Sequence, residues 1–125
     1  FGHYFNQPLS NSLNNLTSLT YLSLGHYFNQ SLEIPYNIKI LNLDCNNISI
    51  IENLPNSIEE LILGQHFNFE LNNLPNTIKI IKFIKESKYD KELNNLPITL
   101  EILELPKAYN KQIKNIDAKC KIIYL

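Results

Sequence analysis

The chain has 125 residues, 44% of them hydrophobic, which suffices for one apolar core at the ordinary size of one domain. Its formal net charge of -1 provides no basic field to hold a phosphate backbone or an anionic membrane, so neither nucleic acid nor membrane is an expected partner. The apolar runs are far too short for a membrane span, no charged-then-apolar leader opens the chain, and the sequence reads as soluble.

In chain order, a six-residue unit of the form apolar-x-x-apolar-x-apolar recurs. It is found at Leu19/Leu22/Leu24, Ile38/Leu41/Leu43, Ile58/Leu61/Leu63, Ile78/Ile81/Phe83, Leu100/Leu103/Leu105 and Cys120/Ile123/Leu125. The last four residues of each unit alternate apolar and variable, the period of a strand with one buried face. Strands are therefore expected near 19–24, 38–43, 58–63, 78–83, 100–105 and 120–125. Identical strands at one short period must run parallel, one per coil, and a coil of about 20 residues cannot bury its own apolar edge. The expectation is a mainly β leucine-rich-repeat solenoid, a parallel sheet of about six strands, in one domain over residues 1–125. Because Phe1-Gly2-His3-Tyr4-Phe5-Asn6 matches Gly25-His26-Tyr27-Phe28-Asn29 further on, the chain reads as a fragment of a longer protein.

The connections carry a second pattern. Leu54-Pro55, Leu74-Pro75, Leu96-Pro97 and Ile34-Pro35 stand three residues before the strand anchors, where proline fixes φ and marks the corner into the strand. After the strands come Gly25-His26-Tyr27-Phe28-Asn29 and Gly64-Gln65-His66-Phe67-Asn68, with Tyr89-Asp90 and Tyr109-Asn110 as looser versions. The aromatic residues are expected to form a buried spine, and the Asn or Asp to bond its side chain to turn backbone. Coils this short leave room on the convex side for extended segments, turns and at most short 3₁₀ pieces.

Phe5-Asn6-Gln7-Pro8-Leu9, Phe28-Asn29-Gln30-Ser31-Leu32 and Phe67-Asn68, followed by Leu-Pro-x-Ser/Thr-Ile and Leu-x-Leu-Gly, resemble the FNIP repeat, a short leucine-rich-repeat variant of social amoebae and giant amoeba-infecting viruses. The unit from Ile38 departs from it and is similar to an ordinary leucine-rich repeat. The resemblance implies a protein-interaction role, in some members beside an F-box that recruits a ubiquitin ligase. No F-box-like helical segment is evident in these 125 residues.

Catalytic chemistry is not evident. His3 and His26 hold equivalent places in neighbouring coils, yet no third ligand of Cys or carboxylate type shares their register, so no metal or cofactor is expected. There is no nucleophile elbow, phosphate loop or His-Glu-x-x-His, and the chain is not expected to be an enzyme. Cys45 and Cys120 lie four coils apart, roughly 19 Å at ~4.8 Å per strand, beyond the ~7 Å reach of a disulfide. Free thiols, together with the Asn29 sequon occupying the turn slot, favour a cytoplasmic protein.

Lys39, Glu59, Lys79, Glu101 and Lys121 alternate in sign from coil to coil at the second unit position and are read as a register-setting ladder. The third position carries Tyr21, Ile40, Glu60, Ile80, Ile102 and Ile122; the fifth carries Ser23, Asn42, Ile62, Lys82, Glu104 and Tyr124. A wet sheet face is normally polar, so four Ile in one column reflect strand propensity, an apolar docking stripe, or a surface covered by a flanking segment outside this fragment. The candidate binding residues are Tyr21, Ile40, Ile62, Ile80, Lys82, Ile102, Ile122 and Tyr124. The expected function is a protein-interaction module presenting this face to a partner chain. The alternative is a structural spacer or self-associating scaffold.

Overall fold

A computed structural model describes residues 1–9 and 11–125. Six short strands form one parallel sheet in sequence order: β1 (Tyr21–Leu24), β2 (Ile40–Leu43), β3 (Glu60–Leu63), β4 (Ile80–Phe83), β5 (Ile102–Leu105) and β6 (Lys121–Tyr124). Among the described residues a single five-residue helix, α1 (Ile48–Glu52), interrupts the otherwise extended connections. The expected β-solenoid is thus observed, and β1 to β5 occupy the last four residues of their repeating units.

The first two residues of each unit turn the corner. The anchor N–H of Ile38, Ile58, Ile78 and Leu100 donates to the carbonyl of Pro35, Pro55, Pro75 and Pro97 at 3.1 to 3.4 Å, closing a tight turn that begins on proline. Adjoining coils are tied at the same place. Lys39 and Ile40 N–H both donate to the Thr20 carbonyl, Glu59 and Glu60 to Lys39, Lys79 and Ile80 to Glu59, and Glu101 and Ile102 to Lys79. Two residues facing one acceptor is the signature of a bulge, repeated at four successive joints.

Just before each anchor stands a polar residue whose role the sequence pattern leaves open. Ser57 Oγ donates to the Ile38 carbonyl at 2.7 Å, Thr77 Oγ1 to Ile58 at 2.8 Å and Thr99 Oγ1 to Ile78 at 2.8 Å. In the preceding coil the Asn37 amide reaches the Leu16 and Leu19 carbonyls. The hydroxyls satisfy carbonyls that the corner would otherwise leave without a partner, whereas the Leu16 carbonyl also accepts the Leu19 N–H.

The core is a stack of apolar rows. Ile38, Ile58 and Ile78, then Leu41, Leu61, Ile81 and Leu103, then Leu24, Leu43, Leu63 and Phe83 are all at most 1% exposed. Past the strand ends runs the aromatic spine, in two segments, with Tyr89 4.5 Å from Phe83 of β4. Phe5 and Phe28 stack at 6.3 Å, and Phe67, Tyr89 and Tyr109 stack at 6.2 Å per step. Burial pushes the Tyr109 phenol up to about 12, while its hydroxyl donates to the Lys91 carbonyl at 2.8 Å. The 22-residue spacing between β4 and β5 (102 minus 80) is absorbed ahead of Tyr89. There the Ser87 N–H donates to the Ile84 carbonyl, and the Tyr89 ring keeps its place in the stack.

Between the two spine segments lies the coil after β2, where Asn47 stands four residues past the strand in place of an aromatic. Its amide donates to the Gln30 carbonyl, and α1 follows, driving Ile50 (0%) and Ile51 (2%) into the core. The expectation of at most 3₁₀ pieces fails here for a physical reason. Without a large ring at this level, a helical turn supplies two branched side chains to fill the same space.

Two substitutions test this packing. Phe67 is fully buried, and Phe67→Ala should lower unfolding free energy by about 3 to 5 kcal/mol in urea denaturation, the cost of deleting a large core aromatic. Thr77→Val keeps the shape but removes the hydroxyl, leaving the Ile58 carbonyl unpaired. It should cost about 1 to 3 kcal/mol, and the same measurement showing no loss would remove the hydroxyl row as a stabilising device.

Candidate functional site

The sheet face opposite the core is built by strict pairing. Tyr21 pairs with Ile40, Ile40 with Glu60, Glu60 with Ile80 and Ile80 with Ile102; one column over, Asn42, Ile62, Lys82 and Glu104 follow in register. Every strand from β2 to β5 alternates half-buried and buried residues, so Ile40, Ile62, Ile80, Lys82 and Ile102 are all partly accessible on this face. Tyr21 is 47% exposed at the first strand, and the Asn42 amide lies 3.4 Å from its hydroxyl.

The last strand differs. Ile102 pairs with Lys121, not Ile122, so the final interval is 19 residues (121 minus 102) in place of the 20 expected. Here the Lys121 N–H itself opens the pairing on the Glu101 carbonyl at 2.8 Å, whereas the preceding joints add a second residue to the same acceptor. Losing one bulge residue shifts the register of β6 by one. Ile122 and Tyr124 consequently align with Leu103 and Leu105 of the core rows, while Lys121 and Ile123 align with Ile102 and Glu104. At this sheet edge Ile122 is 36% and Tyr124 55% exposed. The outward row therefore pairs residue to residue from Tyr21 to Ile102, with Glu60 between Ile40 and Ile80; at β6 Ile122 and Tyr124 are exposed out of register with it, and Ile123 is half-buried.

Charges frame the stripe. Lys39 Nζ lies 3.3 Å from Glu59 Oε1, the rung at which the second-position ladder closes as an ion pair. A diagonal pair, Lys82 Nζ to Glu60 Oε1 at 2.9 Å, is tighter, and this hydrogen bond holds the Lys82 ammonium above its ordinary range. Both pairs are solvent-accessible and fix side-chain positions more than they stabilise the fold. Between them a shallow groove of about 260 Å³ brings Ile40 and Ile80 together with Lys39, Glu59 and Lys79. The other candidates, Ile62, Ile102 and Tyr21, flank it without lining it.

A second feature lies past the strand ends. The His3 and His26 rings stack at 5.3 Å, and His66, which the repeat register did not link to them, approaches His26 at 3.9 Å. Asp44 explains the approach. It occupies the slot that Gly25 and Gly64 fill in the flanking coils, and its Oδ1 accepts the His66 backbone N–H at 3.1 Å. Glycine is required at position 64 because a Cβ there would stand 2.3 Å from Asp44 Oδ1. Among the described residues no group of three or more His, Cys, Asp or Glu has the geometry to hold a metal ion.

The post-strand Asn also acts differently from the expected local turn bond. Asn6 Oδ1 accepts the Asn29 N–H at 3.0 Å, and Asn68 Oδ1 accepts the Asp90 N–H at 3.1 Å. The side chain ties one coil to the next. Asn29 itself is exposed, its Oδ1 accepting from the neighbouring Gln30, so its place in the fold gives no reason to exclude a glycan there. Cys45 is a buried free thiol and Cys120 a half-buried one, and burial pushes both thiols above their ordinary range.

Short parallel coils, a single stacked core and one open sheet face define a β-solenoid repeat protein. The FNIP Repeat family model matches residues 28–64 and again 46–86, and the chain is an FNIP repeat protein. Comparison with curated proteins and with solved structures gave no match. No helix among the described residues is long and apolar enough to cross a membrane.

Proposed function

We propose that this domain is a protein-interaction module of the leucine-rich-repeat kind, binding a partner chain across the sheet face centred on Ile62, Ile80 and Ile102. The observation that supports this reading is the outward row Ile40, Ile80 and Ile102. It is partly exposed on a sheet whose spacing is fixed by backbone pairing, and it is bordered by ordered ion pairs. Apolar side chains inside a polar frame are the composition of a binding patch. The FNIP repeat match supports a repeat module that works by binding another protein. A finer reading makes it the substrate-holding part of an F-box ubiquitin-ligase adaptor. The two free thiols fit a cytoplasmic setting.

The test is affinity capture with the wild-type chain and with Ile80→Asp, whose charge stands in the middle of the stripe. A partner protein retained by the wild type and lost by at least about tenfold in the variant is the expected outcome, since an unpaired charge in an apolar contact costs more than 1.4 kcal/mol. Identical captured proteins would displace the sheet face as the binding surface.

The scaffold reading draws on a different observation: β6 is an edge strand whose Ile122, Tyr124 and Leu125 are 36%, 55% and 37% exposed. An uncovered parallel edge pairs readily with another chain. Sedimentation across a wide concentration range should show association of the 125-residue chain, and Ile80→Lys with Ile102→Lys separates the routes. Association that persists in both variants runs through the edge; association that they abolish runs through the stripe.

A further inference from the structure

The three imidazoles past the strand ends take no part in the sheet face. His26 sits between the other two, stacked on His3 at 5.3 Å and 24° and tilted against His66 at 3.9 Å and 40°, with His3 and His66 6.2 Å apart. Tyr4 and Tyr27 close the outer side, their rings edge-on to His3 at 4.8 and 5.3 Å, and Tyr27 edge-on to His26 at 4.9 Å. Asp44 is the carboxylate that faces the cluster, its oxygens 3.3 and 3.4 Å from His66 Nδ1. Lys85 and Glu86, at the equivalent place after β4, are exposed. His26 Nδ1 is buried with no hydrogen-bond partner.

We infer that this imidazole stack is an acid-sensitive latch, joining the coils that carry His3 and His26 to the coil that carries His66 while the rings are neutral and releasing them when His26 is protonated. Asp44 places the cluster's one neighbouring carboxylate beside His66, and His3 is exposed to solvent. The restriction falls on His26: a positive ring there would lie 3.9 Å from His66 with no carboxylate of its own, and its Nδ1 would become a buried donor without an acceptor. The unfolded chain lacks this restriction and takes one proton per His as pH falls below about 6.5. The unfolded state then binds more protons than the native state, so stability falls as pH falls through this window, while the carboxylates stay ionised above about pH 5.

Urea unfolding at pH 7.5 and pH 5.0 tests the latch. The wild-type folding constant should fall about 30-fold or more, the amount carried by one excluded proton at a reference pKa of about 6.5. His26→Gln, which removes the central ring, should fall by no more than about threefold. Asp44→Asn keeps the Oδ1 acceptor for the His66 N–H but removes the opposing charge, and should deepen the loss. Equal pH dependence in the wild type and His26→Gln overturns the inference. Should His26→Gln not fold, proton uptake by the wild-type imidazoles is followed by NMR: fewer than three rings charging while the sheet signals persist supports the latch, and all three charging with the sheet intact overturns it.

Discussion

A coil of about 20 residues has no interior of its own, so the core side chains of this solenoid are buried by the coils on either side of them. That constraint governs the whole molecule. It explains why the interior rows of Leu and Ile reach 0 to 1% exposure in the middle strands, whereas the same row at β6 ends in Ile122 at 36%. It also explains why the polar side chains repeated from coil to coil reach across. The hydroxyls of Ser57, Thr77 and Thr99 and the amides of Asn6 and Asn68 all bond to an adjoining coil.

The coil after β2 shows how far one unit can depart while its neighbours hold it in place. It lacks the spine aromatic, carries Asp44 where its neighbours carry glycine, and forms the helix α1, yet its strand stays in register on both sides. The missing ring is replaced by Ile50 and Ile51, and the added carboxylate is housed over Gly64. The same departure draws His66 toward His26 and creates the imidazole cluster. A change tolerated by packing has thereby placed three titratable rings in contact.

The sheet face is the other product of stacking. Parallel pairing repeats one side-chain position at a fixed interval, so a residue choice that is unremarked in a single coil becomes a stripe over several. Ile40, Ile80 and Ile102 form such a stripe, broken at Glu60, whose carboxylate is turned to use by Lys82. Binding by a surface of this kind depends on rigidity, which lowers the entropy lost when a partner docks.

Periodicity alone determined the architecture. The recurrence of Leu22/Leu24, Leu41/Leu43 and Leu61/Leu63 admits one arrangement in which each strand buries a face, and the aromatic spine and the free cysteines followed from it. Leu-Pro-x-Ser/Thr-Ile was visible as a motif, but the carbonyl that each hydroxyl satisfies belongs to another coil about 20 residues away, and local patterns do not identify such acceptors. The parity of β6 was equally out of reach, because Cys120/Ile123/Leu125 fits the repeating unit whether or not a bulge residue is present. Only backbone pairing, which aligns Ile122 with Leu103, decides it. The His66 contact with His26 spans 40 positions and two coils (66 minus 26), and it arises from the shape of the intervening coil around Asp44. What repeats along the chain is written in its residue types; what joins unlike coils depends on packing geometry that no single repeat contains.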